Sequence, residues 1–229
     1  MCHDGGVDML QQSRSQGIVL MADPLVTAIP VRDIGEGLAD LRTLGFRISS
    51  ALADEAGAFA HVRTGVASRL RQAANALPDG VQFLIFEGYR PLALQRQFFN
   101  NRLNSLRAAD PSSDPGRLRM LASQYVSPPE VSPHSAGAAV DLTLCTAEGQ
   151  ELDLGTRYDA TPEESAGACF TGHSALDETA KRNRDILSQA LHPAGFVNYP
   201  TEWWHWSYGD RYWAMATGAP EAIYGPQEM

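Results

Sequence analysis

Cysteine is scarce in this sequence of 229 residues, with Cys2, Cys145 and Cys169 the only three. They form no CxxC pair and their number is odd, which argues against a disulfide framework and for reduced thiols. Cys145 and Cys169 read as small buried hydrophobes rather than nucleophiles, since no base is identifiable beside either. Long apolar runs are missing as well, and nothing approaches the roughly 20 residues that a bilayer requires. The run at 17–22 is too short for the apolar core of a secretion signal, follows Asp4 and Asp8 rather than a basic segment, and is cut by Asp23 and Pro24. A cytoplasmic location without a membrane partner is the expectation. Clusters of Lys and Arg are also lacking. Together with a net charge of -9 this argues against a nucleic-acid partner, because polyanion binders need concentrated positive charge. No internal repeat, charge block or low-complexity segment stands out.

The chain does have 44% hydrophobic residues, enough for an ordinary buried core at a length that suits one domain. Residues 1–25 are polar, contain glycine and show no clear periodicity, so they read as a mobile or weakly docked arm without chemistry, ahead of a single domain over 26–229. In 62–77, Val62, Val66, Leu70 and Ala73 recur at helical spacing, with arginines on the other side and Pro78, Asp79 and Gly80 as a stop. The run 81–86, VQFLIF, reads as a buried strand that ends at Glu87 and Gly88. A second helix is predicted over 91–109, with Pro91 in its first turn and Leu94, Phe98, Leu103 and Leu106 toward the core. A short helical piece at 117–125 and the proline-dense segment SPPEVSP follow. Residues 138–144 read as a strand and 147–151 as a hairpin turn back to Leu152. After an irregular stretch, in which 161–164 reads as a helix cap and first turn, come a helix over 175–191 and a strand pair within 195–208. The expected fold class is α+β, a small central antiparallel sheet with flanking helices on one side and the metal site at the sheet face.

Three short strings carry the chemistry: EGYRP at 87–91, SPHSAGAAVD at 132–141 and EWWHW at 202–206. The last two supply two imidazoles and two carboxylates, and three ligands plus a general base is what a hydrolytic zinc site needs. His134 and Asp141 are separated by small residues that let the chain bend both side chains to one point, and His205 completes a His, Asp, His set. Glu202 stands three residues before His205, close to the metal yet free to take a proton. Residues i and i+3 of a flat strand face opposite sides, so the strand is expected to bulge or to begin after Glu202. Trp203, Trp204 and Trp206 are expected to wall the site. Arg90 is held on a Gly-Tyr-Arg-Pro turn, aimed where negative charge would build on a carbonyl oxygen. His3, His61, His173 and His192 have no ligand-like partners in the sequence.

With LDLGTRYD at 152–159, these strings resemble, in order, the VanX-type D-alanyl-D-alanine dipeptidases, within the wider zinc D-Ala-D-Ala peptidases, over about 81–213. The resemblance implies one zinc ion per chain on His134, Asp141 and His205, Glu202 as general base and acid, and Arg90 polarising the scissile carbonyl. Glu87 and Ser132 would help place Arg90 and the ends of the substrate, and Asp159 would fix the neighbouring loop or the substrate. Glu87 stands where the family usually has Asp, Pro133 where it often has Ser, and Ala136 where Arg is common, so the substrate-facing side departs from the family more than the metal-facing side. The expected activity is hydrolysis of D-alanyl-D-alanine or a closely related small dipeptide. The alternatives are a D,D-carboxypeptidase on longer cell-wall peptides, a catalytically silent zinc-binding module, and a hydrolase of other amides. The dipeptide is the one partner expected, and the oligomeric state is left open.

Overall fold

Seven short strands alternate with helices wherever the apolar pattern changes period, and five of the strands pair into one sheet. The structure is a computed structural model that describes Leu10, Ser13 and residues 17–229. In chain order these hold helix α1 (Pro24–Thr27), strand β1 (Leu38–Asp40), β2 (Arg47–Ile48), β3 (His61–Arg63), α2 (Thr64–Ala74) and β4 (Val81–Glu87). Then come α3 (Leu92–Ala109), α4 (Pro115–Ala122), β5 (Ala139–Thr146), α5 (Glu178–Leu191), β6 (Val197–Asn198), β7 (His205–Ser207) and α6 (Arg211–Thr217). The sheet order is β2-β4-β5-β7-β6, and every pair is antiparallel except the edge pair β2 with β4. The α+β expectation holds, with one parallel edge that the sequence pattern did not announce.

The two faces of the sheet do different work. Phe83, Ile85, Val140, Leu142, Leu144 and Trp206 pack into the main core with Val66 and Leu70 of α2 and Leu187 of α5. The alternation of strand side chains sends Leu84, Phe86 and Cys145 to the opposite face, where Tyr158 covers them. On that side α3 and α4 form their own cluster around Phe99, Ala122 and Val126. Helices therefore flank both faces, not one side. In α3 the buried positions are Gln95 and Phe99, whereas Phe98 is only half-buried because it borders a cleft. Val62, read as the start of a helix, lies instead in β3, which pairs with β1. The turn at 147–151 forms as expected, but the returning chain makes a single bridge, Cys145 with Glu151, rather than a strand.

One extra residue in β4 decides which side chain stands beside Asp141. Ile85 is opposite Leu142, yet Glu87 is opposite Asp141, so Phe86 is a bulge. Without it Phe86 would occupy the place beside Asp141; the insertion carries Glu87 there instead. The neighbouring turns are tied by distant partners. Arg63, 2% exposed, donates to the carbonyls of Ala136 (2.8 Å), Gly225 (3.0 Å) and Glu36 and pairs with Asp33 at 2.6 Å. The expected arm over 1–25 lies largely outside the described residues. Its described part is docked: Leu10, Leu20 and Met21 are buried with Val26, Val131, Tyr199 and Tyr212.

Candidate active site

Glu87, Asp141 and His205 lie side by side on three adjacent strands, β4, β5 and β7, as direct cross-strand neighbours. Directly opposed residues hold their Cβ atoms about 5 Å apart, so the ladder brings these side chains together without help from a loop. His134 joins them from a 3-10 turn, His134–Ala136, that Gly137 closes in a left-handed conformation, φ 64°. Its Nδ1 lies 2.7 Å from the Gly88 carbonyl, which fixes that nitrogen as the donor and leaves Nε2 with its lone pair toward Asp141. Gly88 is required for this approach, since a Cβ there would meet the His61 carbonyl oxygen at 2.3 Å.

The three donor atoms converge. His134 Nε2 is 3.3 Å from Asp141 Oδ1 and 3.2 Å from His205 Nδ1, and the latter two are 3.0 Å apart. Tetrahedral zinc with bonds of about 2.0–2.1 Å has ligand atoms about 3.3 Å from each other, so the triangle fits such an ion. All three residues are buried, and they form the group of ligating side chains with metal-binding spacing among the described residues. Burial works against the charged form of both histidines. The Asp141 carboxylate outweighs it at His134, which is raised, but not at His205, which is lowered. Asp141 itself is driven far below the ordinary carboxylate range, burial being overcome by the two imidazoles.

The chain turns before β7 begins, with the Glu202 amide on the Tyr199 carbonyl at 2.9 Å and the His205 amide on the Glu202 carbonyl at 3.2 Å. The strand thus starts after Glu202, as its chemistry demanded. Asn198 clamps the turn by donating to the Glu202 and His205 carbonyls at 3.0 and 2.9 Å. Glu202 Oε2 ends 3.8 Å from His205 Nδ1. Burial first, and then the charges of Asp141 and Asp159, raise its carboxyl well above the usual value. A carboxyl tuned in this way can both accept and return a proton.

Arg90 follows β4 and is anchored on three sides. Its Nε and Nη2 engage Glu87, the former at 2.7 Å, and Nη1 donates to Gln95 at 2.8 Å. A guanidinium has five N–H bonds, so about two remain for another partner. Glu87 therefore places Arg90, and Gln95 shares that task. A cleft of about 330 Å³ opens at this point, and Glu87, Arg90, Tyr158 and Asp159 are among the residues that line it. Asp159 has an exposed edge, accepts from the Tyr125 hydroxyl at 2.7 Å and sits at φ 61°; the protein packed around it and nearby Asp141 raise its carboxyl. Ser132 is not brought to the cleft: it is buried with its hydroxyl 3.4 Å from the Ser135 amide, supporting the turn that carries His134.

The tryptophans are not the walls expected of them. Trp203, Trp204 and Trp206 belong to the main core, Trp206 against His192 and Trp203 bonded to Thr156. Trp204 reaches the site only through Tyr158, whose ring it meets edge-on at 5.8 Å. Tyr158 is the lining residue that sequence reasoning passed over. Its ring stacks on Phe86 at 4.0 Å and its hydroxyl is 3.4 Å from Asp141 Oδ2. Its position beside Asp159 within LDLGTRYD was the available signal. His173, in the irregular segment, has its buried Nδ1 unpartnered among the described residues and is not part of the ligand triangle.

Two imidazoles and one carboxylate around a point, with a buried carboxyl of raised pKa and an anchored guanidinium nearby, have the composition that metal-dependent hydrolysis requires. Comparison with known proteins gives the family. Residues 52–220 match the family described as D-ala-D-ala dipeptidase. A D-alanyl-D-alanine dipeptidase of Synechocystis sp. is 31% identical over 82% of this chain and 87% of its own. Those of Escherichia coli and Enterococcus faecium are 33% and 29% identical, over 56% and 61% of this chain and 55% and 68% of theirs. The chain belongs to the D-Ala-D-Ala dipeptidase family. No helix among the described residues is long and apolar enough to cross a membrane.

Proposed function

We propose that this protein is a zinc-dependent dipeptidase that hydrolyses D-alanyl-D-alanine or a closely related small dipeptide. The observation that carries the reading is the convergence of His134 Nε2, Asp141 Oδ1 and His205 Nδ1 within 3.0–3.3 Å beside the buried Glu202. Zinc held by these three residues would supply a Lewis acid and make water acidic enough to react near neutral pH. Glu202 takes the proton from the attacking water on its carboxylate and passes it to the leaving amine. Arg90, fixed by Glu87 and Gln95, directs its free N–H bonds at the carbonyl oxygen as negative charge grows there, an interaction stronger in the transition state than in the ground state. Asp159 accepts from a tyrosine hydroxyl and makes no ion pair among the described residues, with Arg90 and Arg157 acting on it only at longer range, which suits it to the ammonium of the dipeptide. Ser132 serves by holding the His134 turn. Cys145 and Cys169 are buried free thiols, which supports a reducing, cytoplasmic setting.

The test is to incubate the zinc-loaded protein with D-Ala-D-Ala, with L-Ala-L-Ala and with a D-Ala-D-Ala-ending tripeptide, and to follow amine release with and without a chelator. Chelator-sensitive cleavage of D-Ala-D-Ala is expected. Preference for the tripeptide would replace the dipeptidase reading with a carboxypeptidase one, and no cleavage of any would leave a binding module. Glu202→Ala should retain zinc and lose turnover by at least about 100-fold; full activity in that variant would sink the mechanism.

A further inference from the structure

The cleft adjoins the proposed metal site through Glu87, Arg90 and Tyr158, and the rest of its lining lies beyond them. From Arg90 it continues along one face of α3, where Phe98, Asn101, Arg102 and Ser105 recur at i, i+3, i+4 and i+7. That stripe alone is about 10 Å long at 1.5 Å per residue. An extended dipeptide backbone spans about 7 Å and lies at the Arg90 end, so an alanine methyl cannot reach most of it. The stripe is rich in donors, of which those of Asn101 and Ser105 are exposed to water. Asn101 and Ser105 make no side-chain hydrogen bond among the described residues. Arg102 spends one N–H on Glu163, at 2.6 Å, but that carboxylate is 48% exposed and its hold is weakened by water. The guanidinium lies over the Tyr125 ring, 5.6 Å from its centre, and its buried Nε has no hydrogen-bond partner among the described residues. Across the cleft stand Tyr125 and Asp159. With the carbonyl at Arg90 and the ammonium at Asp159, the amino-terminal residue is the one beside α3, and its side chain is the part of that residue free to run along the helix.

We propose that this outer half of the cleft is a subsite for that side chain, and that it selects one longer than a methyl group and ending in an oxygen acceptor, a carboxylate or a carboxamide. Phe98 packs on the aliphatic stem, and Arg102, with Asn101 and Ser105, meets the oxygen. A long side chain without an acceptor covers the same donors and leaves them unpaired, which costs more than leaving them in water. The inference rests on the dipeptidase reading and concerns only which dipeptide is taken.

The experiment compares kcat/KM for D-Ala-D-Ala, D-Met-D-Ala, D-Gln-D-Ala and D-Glu-D-Ala in the zinc-loaded protein and in Arg102→Met, which keeps the length and apolar stem. The wild type should cleave D-Gln-D-Ala or D-Glu-D-Ala about tenfold or more better than D-Met-D-Ala. Arg102→Met should erase that advantage while leaving D-Ala-D-Ala within about twofold, the latter also reporting an intact fold. An advantage confined to D-Glu assigns the subsite to charge, and one shared with D-Gln assigns it to hydrogen bonding. D-Met-D-Ala cleaved as well as its polar counterparts, or a preference that survives Arg102→Met, overturns the subsite while D-Ala-D-Ala hydrolysis stands. Loss of D-Ala-D-Ala hydrolysis in the wild type would instead strike the dipeptidase reading itself.

Discussion

Adding one methyl group at Gly88 should loosen a proposed metal ligand, His134. A Cβ on Gly88 would lie 2.3 Å from the His61 carbonyl oxygen, whereas carbon and oxygen in contact settle near 3.3 Å, so the backbone must yield by about 1 Å. The residue that moves carries the carbonyl that accepts from His134 Nδ1 at 2.7 Å, and its amide is bonded to the Phe59 carbonyl at 2.6 Å. An ångström takes the first of these out of hydrogen-bond range. Losing the partner that orients a ligating histidine lowers metal affinity about 10–100-fold, which is about 1.4–2.7 kcal/mol. The strain should cost a further ~1–3 kcal/mol of stability, little enough to leave Gly88→Ala folded. The assay is zinc affinity by competition with a chromophoric chelator, alongside a thermal melt. Gly172→Ala is the control, because a Cβ there meets nothing within 4 Å. A folded Gly88→Ala protein with zinc affinity within about twofold of the wild type would show that the Gly88 carbonyl does not orient His134.

Glu202→Gln should raise the melting temperature of the metal-free protein at pH 7 and leave it unchanged at pH 4. Burial and the neighbouring Asp141 and Asp159 lift the folded carboxyl above its unfolded value near 4.3, so its contribution is present below that pH and lost as pH rises. Equal melts at both pH values would refute the raised carboxyl. Arg63→Met should lose about 3 kcal/mol in urea denaturation, because three carbonyls and Asp33 are left without their buried partner. A loss under about 1 kcal/mol would mean that the clamp is dispensable. Neither Cys145 nor Cys169 should be alkylated in the native protein at pH 8, burial having pushed the Cys169 thiol up to about 11. Peptide mapping after iodoacetamide treatment checks this, and modification of either without urea would contradict their burial.

What was legible in the sequence was what neighbours in sequence decide. His134 and Asp141 share one turn and strand, Glu202 and His205 share one turn, and Arg90 sits just beyond the end of the strand that VQFLIF predicts. The conflict between i, i+3 spacing and a flat strand left two outcomes, a bulge or a strand that begins after Glu202, and β7 takes the second. The features that escaped depend on residues far apart. Nothing local in VQFLIFE marks Phe86 as a bulge, since the insertion exists only relative to β5. Arg63 reads as the polar side of a helix, yet its acceptors lie 73 and 162 positions away. Thr161 and Glu164 do make the reciprocal bonds of a capping box, at 3.1 Å each, but no helix follows them. Aromatic density around His205 suggested a lined pocket, and the sheet instead turned those rings toward the core.

Because Glu87, Asp141 and His205 form a row perpendicular to the strands, their spacing is inherited from the hydrogen-bonded ladder and not from any loop. On the proposed reading, the row on the sheet and the outer wall of the cleft are then largely separate parts of the chain, joined where Gln95 of α3 holds Arg90. Insertions or exchanges in α3, or in the segment around Asp159, can remodel what the cleft admits without changing the distances within the row. Straightening β4 through the bulge at unchanged length would do the opposite, returning Phe86 to the place beside Asp141 and removing the carboxylate that steadies Arg90 while leaving the cleft's outer wall intact.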